Sequence, residues 1–258
     1  MSGGSHRDLD ELRNEVVEAN RALMAAGLVT LSFGNASGVD RERGVMLIKP
    51  SGFACDELSP RDVVAVSLED GRVVEDEASG AGGRGAAGAG PGPRLRPSSD
   101  TATHLVLYRR FPSIGGVVHT HSPSASVWAQ AGRPIPCLGT THADHFAGPV
   151  PVTRPLTHDE IAGDYEAATG AVIVETLDGL GLDPLHMPAA LVSSHGPFTW
   201  GADPAAAAVN AVALEAVATM AWQTLSLAPG VESISPALLG RHFHRKHGPD
   251  AYYGQPGA

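Results

Sequence analysis

Residues 111–121 read FPSIGGVVHTH: a proline turn, two glycines, an apolar run and two histidines two positions apart. The run Gly115–Thr120 is predicted as a buried strand, because β-branched residues fill it between turn-forming ones. Side chains two apart on a strand share a face, so His119 and His121 can converge on one ion. A second strand-like run, Ala189–Ser193, leads to His195 just before Gly196. Asp100, at the start of a predicted helix, can add a carboxylate. Three imidazoles and one carboxylate, with a position left exchangeable, suit a catalytic zinc acting as Lewis acid. Three unrelated histidines are the alternative reading of the same residues.

Outward from this segment, strands and helices are mixed, as in a layered α/β domain. Helices are predicted over 8–26, from Ser98-Ser99-Asp100 to Arg110, over Ser124–Ala131, His158–Leu180, Ala205–Leu227 and Ser235–Lys246. Strands are predicted at Leu28–Leu31, Val45–Ile48, Val63–Leu68 and Arg72–Val74. The segment Ala78–Leu95 holds seven Gly and five Ala among 18 residues. Such a composition reads as a flexible surface loop, and it lacks the GxxxxGK[ST] pattern of a phosphate loop. A second histidine pair, His242-Phe243-His244 with His247 behind it, falls in a predicted helix. Positions two apart there point to different sides, so a solvated or core-edge cluster is expected.

The chain has 258 residues, 28 acidic and 18 basic, for a formal charge of −10. One domain spanning 1–258 is expected from that length. A negative chain offers no basic footprint for nucleic acid. No unbroken apolar run of membrane-spanning length and no secretory leader are read, so a cytoplasmic protein is expected. Cys55 and Cys137 form no CxxC pair, which argues against a disulfide framework or a thiolate metal site.

Five further stretches belong with the first: GLVTLSFGNASGVDRERGVMLIKPSG (27–52), PSSD (97–100), GTTHAD (139–144), SHGPFTW (194–200) and RKHGPDAYYGQ (245–255), all in one order with FPSIGGVVHTH. Together they resemble the class II aldolase/adducin family, and within it the pentulose-phosphate epimerases. That resemblance implies a three-layer α/β/α sandwich around a mixed, largely antiparallel sheet. It also implies a fourfold-symmetric homotetramer with active sites between neighbouring subunits. The metal ligands it implies are Asp100, His119, His121 and His195, holding Zn2+ or another divalent ion. Asp144 and Tyr253 match its acid/base pair. Gly34, Asn35, Ser51, Gly52, Ser98 and Ser99 match its substrate contacts, mostly around a phosphate.

The implied reaction interconverts L-ribulose 5-phosphate and D-xylulose 5-phosphate, a step that arabinose and ascorbate catabolism can both use. Aspartate at position 100, where fuculose-phosphate-type aldolases carry glutamate, leans toward the epimerases. An aldolase, or a non-catalytic adducin-like interaction protein, is the alternative. Lys49 is an added candidate cation for the phosphate, with an ordinary surface charge as its other reading. Two features depart from the family pattern: the longer Ala78–Leu95 segment, and His145 where an aromatic Tyr is expected after THAD.

Overall fold

The computed structural model describes residues 8–74, 95–247 and 251–252. The expected loop at Ala78–Leu95 and the acid/base candidate Tyr253 therefore fall outside the described residues, Leu95 excepted.

Six strands form one sheet in the order β3-β2-β1-β4-β6-β5. They are β1 (Asn35–Asp40), β2 (Val45–Ile48), β3 (Val64–Ser67), β4 (Gly116–His119), β5 (Ala189–Val192) and β6 (Gly196–Gly201). Every ladder is antiparallel. Among the described residues one isolated bridge, Val152 with Leu191, is parallel.

Side chains alternate across this sheet and each face is covered by helices. One face carries Met46, Ile48, Val66, Val117, Phe198 and Trp200. It packs against α2 (Thr101–Arg110) and α6 (Tyr165–Leu180), which supply Leu107, Tyr108, Ile173 and Leu177. The opposite face carries Ala36, Leu47, Ala65 and Val118. It is covered by α1 (Leu9–Ala25), α3 (Pro123–Gln130) and α7 (Pro204–Leu227). Each large side chain wholly removed from water here contributes about 1.5–3 kcal/mol. Three short or terminal helices complete the described chain: α4 (Thr140–Ala143), α5 (His158–Ala162) and α8 (Pro236–His247).

Helix α7 is long and apolar enough to cross a membrane by length and composition alone. Its small residues Ala207, Ala208, Ala211 and Ala218 are instead buried against the sheet and α1.

Several sequence expectations are corrected. Leu28–Leu31 is not a strand; Leu31 sits in a turn at φ 56°. The central strand lies just beyond it, at NASGVD, which has almost no β-branched residues to announce it. Small residues are required there because helices press close. A Cβ on Gly38 would lie 2.7 Å from Leu12 Cδ1 and 2.8 Å from Pro204 Cγ. Arg72–Val74 contributes only the isolated bridge of Val73 to Val66. His158–Leu180 is two helices, separated at Gly163-Asp164, because Asp164 caps α6 by accepting from Ala167 N. Strand β6 and helix α4 were not anticipated, since Gly and Pro at 196–197 and the four-residue length of α4 hide them.

Candidate functional site

The site grows out of sheet register. His119 ends β4, with Asn35 of β1 opposite it on one side and Phe198 of β6 on the other. Directly opposed residues share a face, so Asn35, His119 and Phe198 stand in a row beneath the start of α2. The His119 ring stacks on Phe198 at 4.2 Å between centroids, 16° from parallel. Its Nδ1 donates to the Pro197 carbonyl at 3.0 Å, which fixes the tautomer and turns Nε2 outward as an acceptor. His119 Nε2 lies 3.0 Å from His121 Nε2.

His195 arrives from the turn between β5 and β6, aimed by Ser194 in the left-handed region at φ 60°. One ligating atom from each of the three imidazoles lies within 4.8 Å of the others. Two ligands of a tetrahedral zinc, at bonds of about 2.0–2.1 Å, stand about 3.3 Å apart; the His119–His121 pair is near that spacing, and the three atoms together could hold such an ion. Burial pushes His119 down to about 3, with His195 and His121 adding to the effect against Asp100. His195 is lowered too, first by burial and then by His121. Neutral imidazoles with free lone pairs are the form that binds metal.

Asp100 caps the beginning of α2 at the edge of this trio. Its carboxylate accepts from Asn35 Nδ2 at 2.6 Å and Ser98 Oγ at 3.4 Å, and is not among the three atoms gathered for the ion. Burial pulls its pKa up, but the imidazoles of His119 and His104, the Asn35 hydrogen bond and His195 together bring it below the ordinary value. An ionised carboxylate therefore stands beside the buried rings of His119 and His195, both of which burial favours in the neutral form.

The candidate phosphate contacts are joined by backbone pairing. Ser51 N donates to Arg96 O at 2.9 Å and Ser98 N to Lys49 O at 3.1 Å, with a bridge between Pro50 and Pro97. This zips Lys49–Gly52 to Arg96–Ser98. Asn35 Nδ2 also reaches Ser98 Oγ at 3.1 Å, tying β1 to the same corner. Gly34 adopts φ 95°, where a Cβ would lie 2.9 Å from His119 O, so only glycine suits the position. Lys49 is no surface charge: it is 2% exposed, with Nζ donating to Ser32 O at 3.3 Å. Burial lowers its pKa, against the pull of Cys55 and Asp100.

Asp144 belongs to a different corner. It caps the C-terminus of α4, whose main contacts are α7 and α8. Arg245 grips its carboxylate at two points, Nε to Oδ1 at 3.0 Å and Nη2 to Oδ2 at 2.8 Å. His242 Nδ1 adds a bond to Oδ1 at 3.1 Å, and His247 Nε2 donates to the Asp144 carbonyl at 2.8 Å. Burial raises the Asp144 pKa, but the Arg245 and His242 hydrogen bonds outweigh it and hold the group below its ordinary value. His145 turns to Lys246, 3.2 Å from Nζ, and burial with that ammonium pushes it down to about 4. The C-terminal histidines are thus a core-edge cluster, as expected, but one organised around Asp144. Phe243 is buried between them while His244 is exposed.

Sequence reasoning missed Tyr165, whose hydroxyl lies 3.4 Å from His195 Nδ1, and the role of Arg245. The Arg245 partner is 101 residues away, and no local pattern signals it.

The Class II Aldolase and Adducin N-terminal domain family matches residues 14–222. Proteins named L-ribulose-5-phosphate 4-epimerase UlaF, from Salmonella paratyphi A and Salmonella typhi, are each 51% identical over 247 residues, 96% of this chain and all of theirs. Among solved structures, an L-fuculose 1-phosphate aldolase superposes with a TM-score of 0.67 at 22% identity, covering 94% of this chain and 99% of the other. YgbL from Klebsiella pneumoniae, titled a putative aldolase/epimerase/decarboxylase, gives 0.64 at 23% identity, covering 91% and 99%. Those two likenesses bear on the fold alone. The fold, the histidine trio and the family match over most of its length agree: the chain belongs to the class II aldolase/adducin family.

Proposed function

We propose that the chain is an L-ribulose-5-phosphate 4-epimerase, interconverting L-ribulose 5-phosphate and D-xylulose 5-phosphate. The observation that carries this reading is the 51% identity to proteins of that name across 96% of the chain.

The stereocentre to be inverted, C4, is not adjacent to the C2 carbonyl, so its hydrogen is not acidic and simple deprotonation there does not serve. Breaking and remaking the C3–C4 bond does. A base takes the C4 hydroxyl proton, the bond electrons pass toward C3 and the carbonyl, and glycolaldehyde phosphate separates from the enediolate of dihydroxyacetone. The aldehyde turns over and the bond re-forms on its other face.

In this reading Asp100, His119, His121 and His195 hold the metal, zinc or another divalent ion. That ion supplies positive charge where oxygen gains electron density. Asp144 and Tyr253 are the acid/base groups, one for each face of the aldehyde. An Asp held ionised is ready to accept a proton, and a Tyr is ready to give one. Gly34, Asn35, Ser51, Gly52, Ser98 and Ser99 grip the phosphate, with Lys49 buried behind them as a cation. The N–H groups at the start of α2 favour an anion there. That grip keeps the aldehyde fragment in place while its carbonyl turns.

We read the active unit as a homotetramer whose sites lie between copies. Two observations support this: Asp144 is built onto α4, α7 and α8, away from the trio's own strands, and α7 exposes Val209, Met220 and Trp222.

The test is to incubate the metal-loaded protein with L-ribulose 5-phosphate and to follow D-xylulose 5-phosphate and free glycolaldehyde phosphate together. Xylulose phosphate without free aldehyde is expected. Aldehyde release alone would make the protein an aldolase, and the absence of both products would likewise overturn the reading.

A further inference from the structure

We propose that Arg245 is the positioning residue that aims Asp144, so that the proton moves through Oδ2; this rests on the reading of Asp144 as an acid/base group. A carboxylate offers about four lone-pair sites. Among the described residues, Oδ1 receives His242 Nδ1 and Arg245 Nε, while Oδ2 receives only Arg245 Nη2. One lone pair is left, and it is on Oδ2.

The two-point fork fixes the plane of the carboxylate, which a single contact does not. It is shielded enough to matter, because the Asp144 side chain is 13% exposed and that of Arg245 is 23% exposed. The His247 bond to the Asp144 carbonyl holds the backbone but leaves the side chain free to rotate.

Other charges near the fork do not replace it. On α8, Lys246 is directed to His145, and His247 to the backbone. On the α4 segment, His142 bonds the Gly148 carbonyl at 2.7 Å. From the loop before β5, His186 faces His247. The one charged residue of α7, Glu215, accepts from the backbone of Ser124 and Ala125. Among the described residues only His242 shares the carboxylate with Arg245, and it does so at one oxygen.

The experiment compares Arg245→Gln, Arg245→Lys and Asp144→Asn in the metal-loaded enzyme, reading kcat and KM against pH together with metal content. For Arg245→Gln, kcat is expected to fall on the order of 10²-fold, the scale of a misplaced catalytic group, with KM and metal content little changed. Removing the guanidinium also removes a force that favours the ionised carboxylate. The acid limb of kcat should therefore move to higher pH by about one unit. Arg245→Lys should restore the limb while recovering only part of the rate, because an ammonium supplies charge without the fork.

An Arg245→Gln enzyme with full kcat and an unmoved limb overturns the proposal. So does a rate loss shared equally by Gln and Lys with the limb in place, which would mark a structural prop. Should the Gln variant fail to fold, the Lys variant decides: full wild-type kcat there overturns the fork, and a lowered kcat with the limb retained supports it. If Asp144→Asn turns over normally, the reading of Asp144 itself fails. If Asp144→Asn is inactive while Arg245→Gln is intact, only the positioning role falls.

Discussion

The histidine trio and the Asp144 corner are built in opposite ways. The trio is set by backbone: Asn35, His119 and Phe198 face each other across three strands by ladder register, His121 follows just past the end of β4, and His195 comes from the turn between β5 and β6. The Asp144 corner is set by side chains, with residues 98 to 103 positions apart meeting across α4 and α8. A register displaces every side chain together when it slips, so it specifies geometry tightly. A side-chain cluster adjusts piecemeal, and its parts can be removed one at a time.

The largest effect should come from the backbone-set region. Replacing His119 with Ala removes a proposed ligand whose orientation is fixed from both sides, by Pro197 O and by the Phe198 ring. Bound metal should be lost, and activity with it, by at least about 10³-fold, since a catalytic ion supplies several kcal/mol. Elemental analysis with the epimerase assay reads both. Asp144→Asn should keep its metal, and loss of metal in that variant would break the distinction between the two regions.

The same contrast explains what the sequence could tell. The HTH pair at the end of an apolar strand and His195 beyond a second one are local patterns, and they converge within 4.8 Å. Asp100 was legible from its place at a helix start, but its hydrogen bonds to Asn35 and Ser98 were not. The strand carrying Asn35 was itself misplaced, because NASGVD is shaped by the helices packed on it, not by β-propensity. Lys49 reads from sequence as either a phosphate cation or a surface charge, and only its burial removes the second option. Arg245 sat in a recognisable stretch, RKHG, yet its partner could be found only in three dimensions.

A smaller effect, shared by both regions, concerns pH. Each has a buried histidine beneath it: His104 beside Asp100 and His142 beside Asp144. Burial pushes each down to about 4, against an ordinary value of 6.5. In the native state these rings are neutral, whereas in the unfolded chain they take up protons first as the pH falls. Their contribution is therefore complete above pH 6.5 and is lost between 6.5 and about 4. From pH 7 to 5 the loss is about 2 kcal/mol per ring. Denaturant unfolding at the two pH values should show it. His104→Gln and His142→Gln should each flatten the difference by that amount, and a slope unchanged in either variant would mean that ring is not held neutral.

The smallest effect separates the two supports of Asp144. His247 donates to the Asp144 carbonyl at 2.8 Å and stacks on Phe243 at 4.6 Å between centroids. Its replacement by Ala removes one hydrogen bond and one ring contact, worth about 1 kcal/mol together, which lowers the melting temperature by about 2–4 °C for a chain of this size. The carboxylate keeps its fork, so kcat should hardly change. If kcat fell as far as in Arg245→Gln, the backbone of α4 would be what aims Asp144. The corner would then be register-like after all, governed by where the chain runs and not by which side chains meet there.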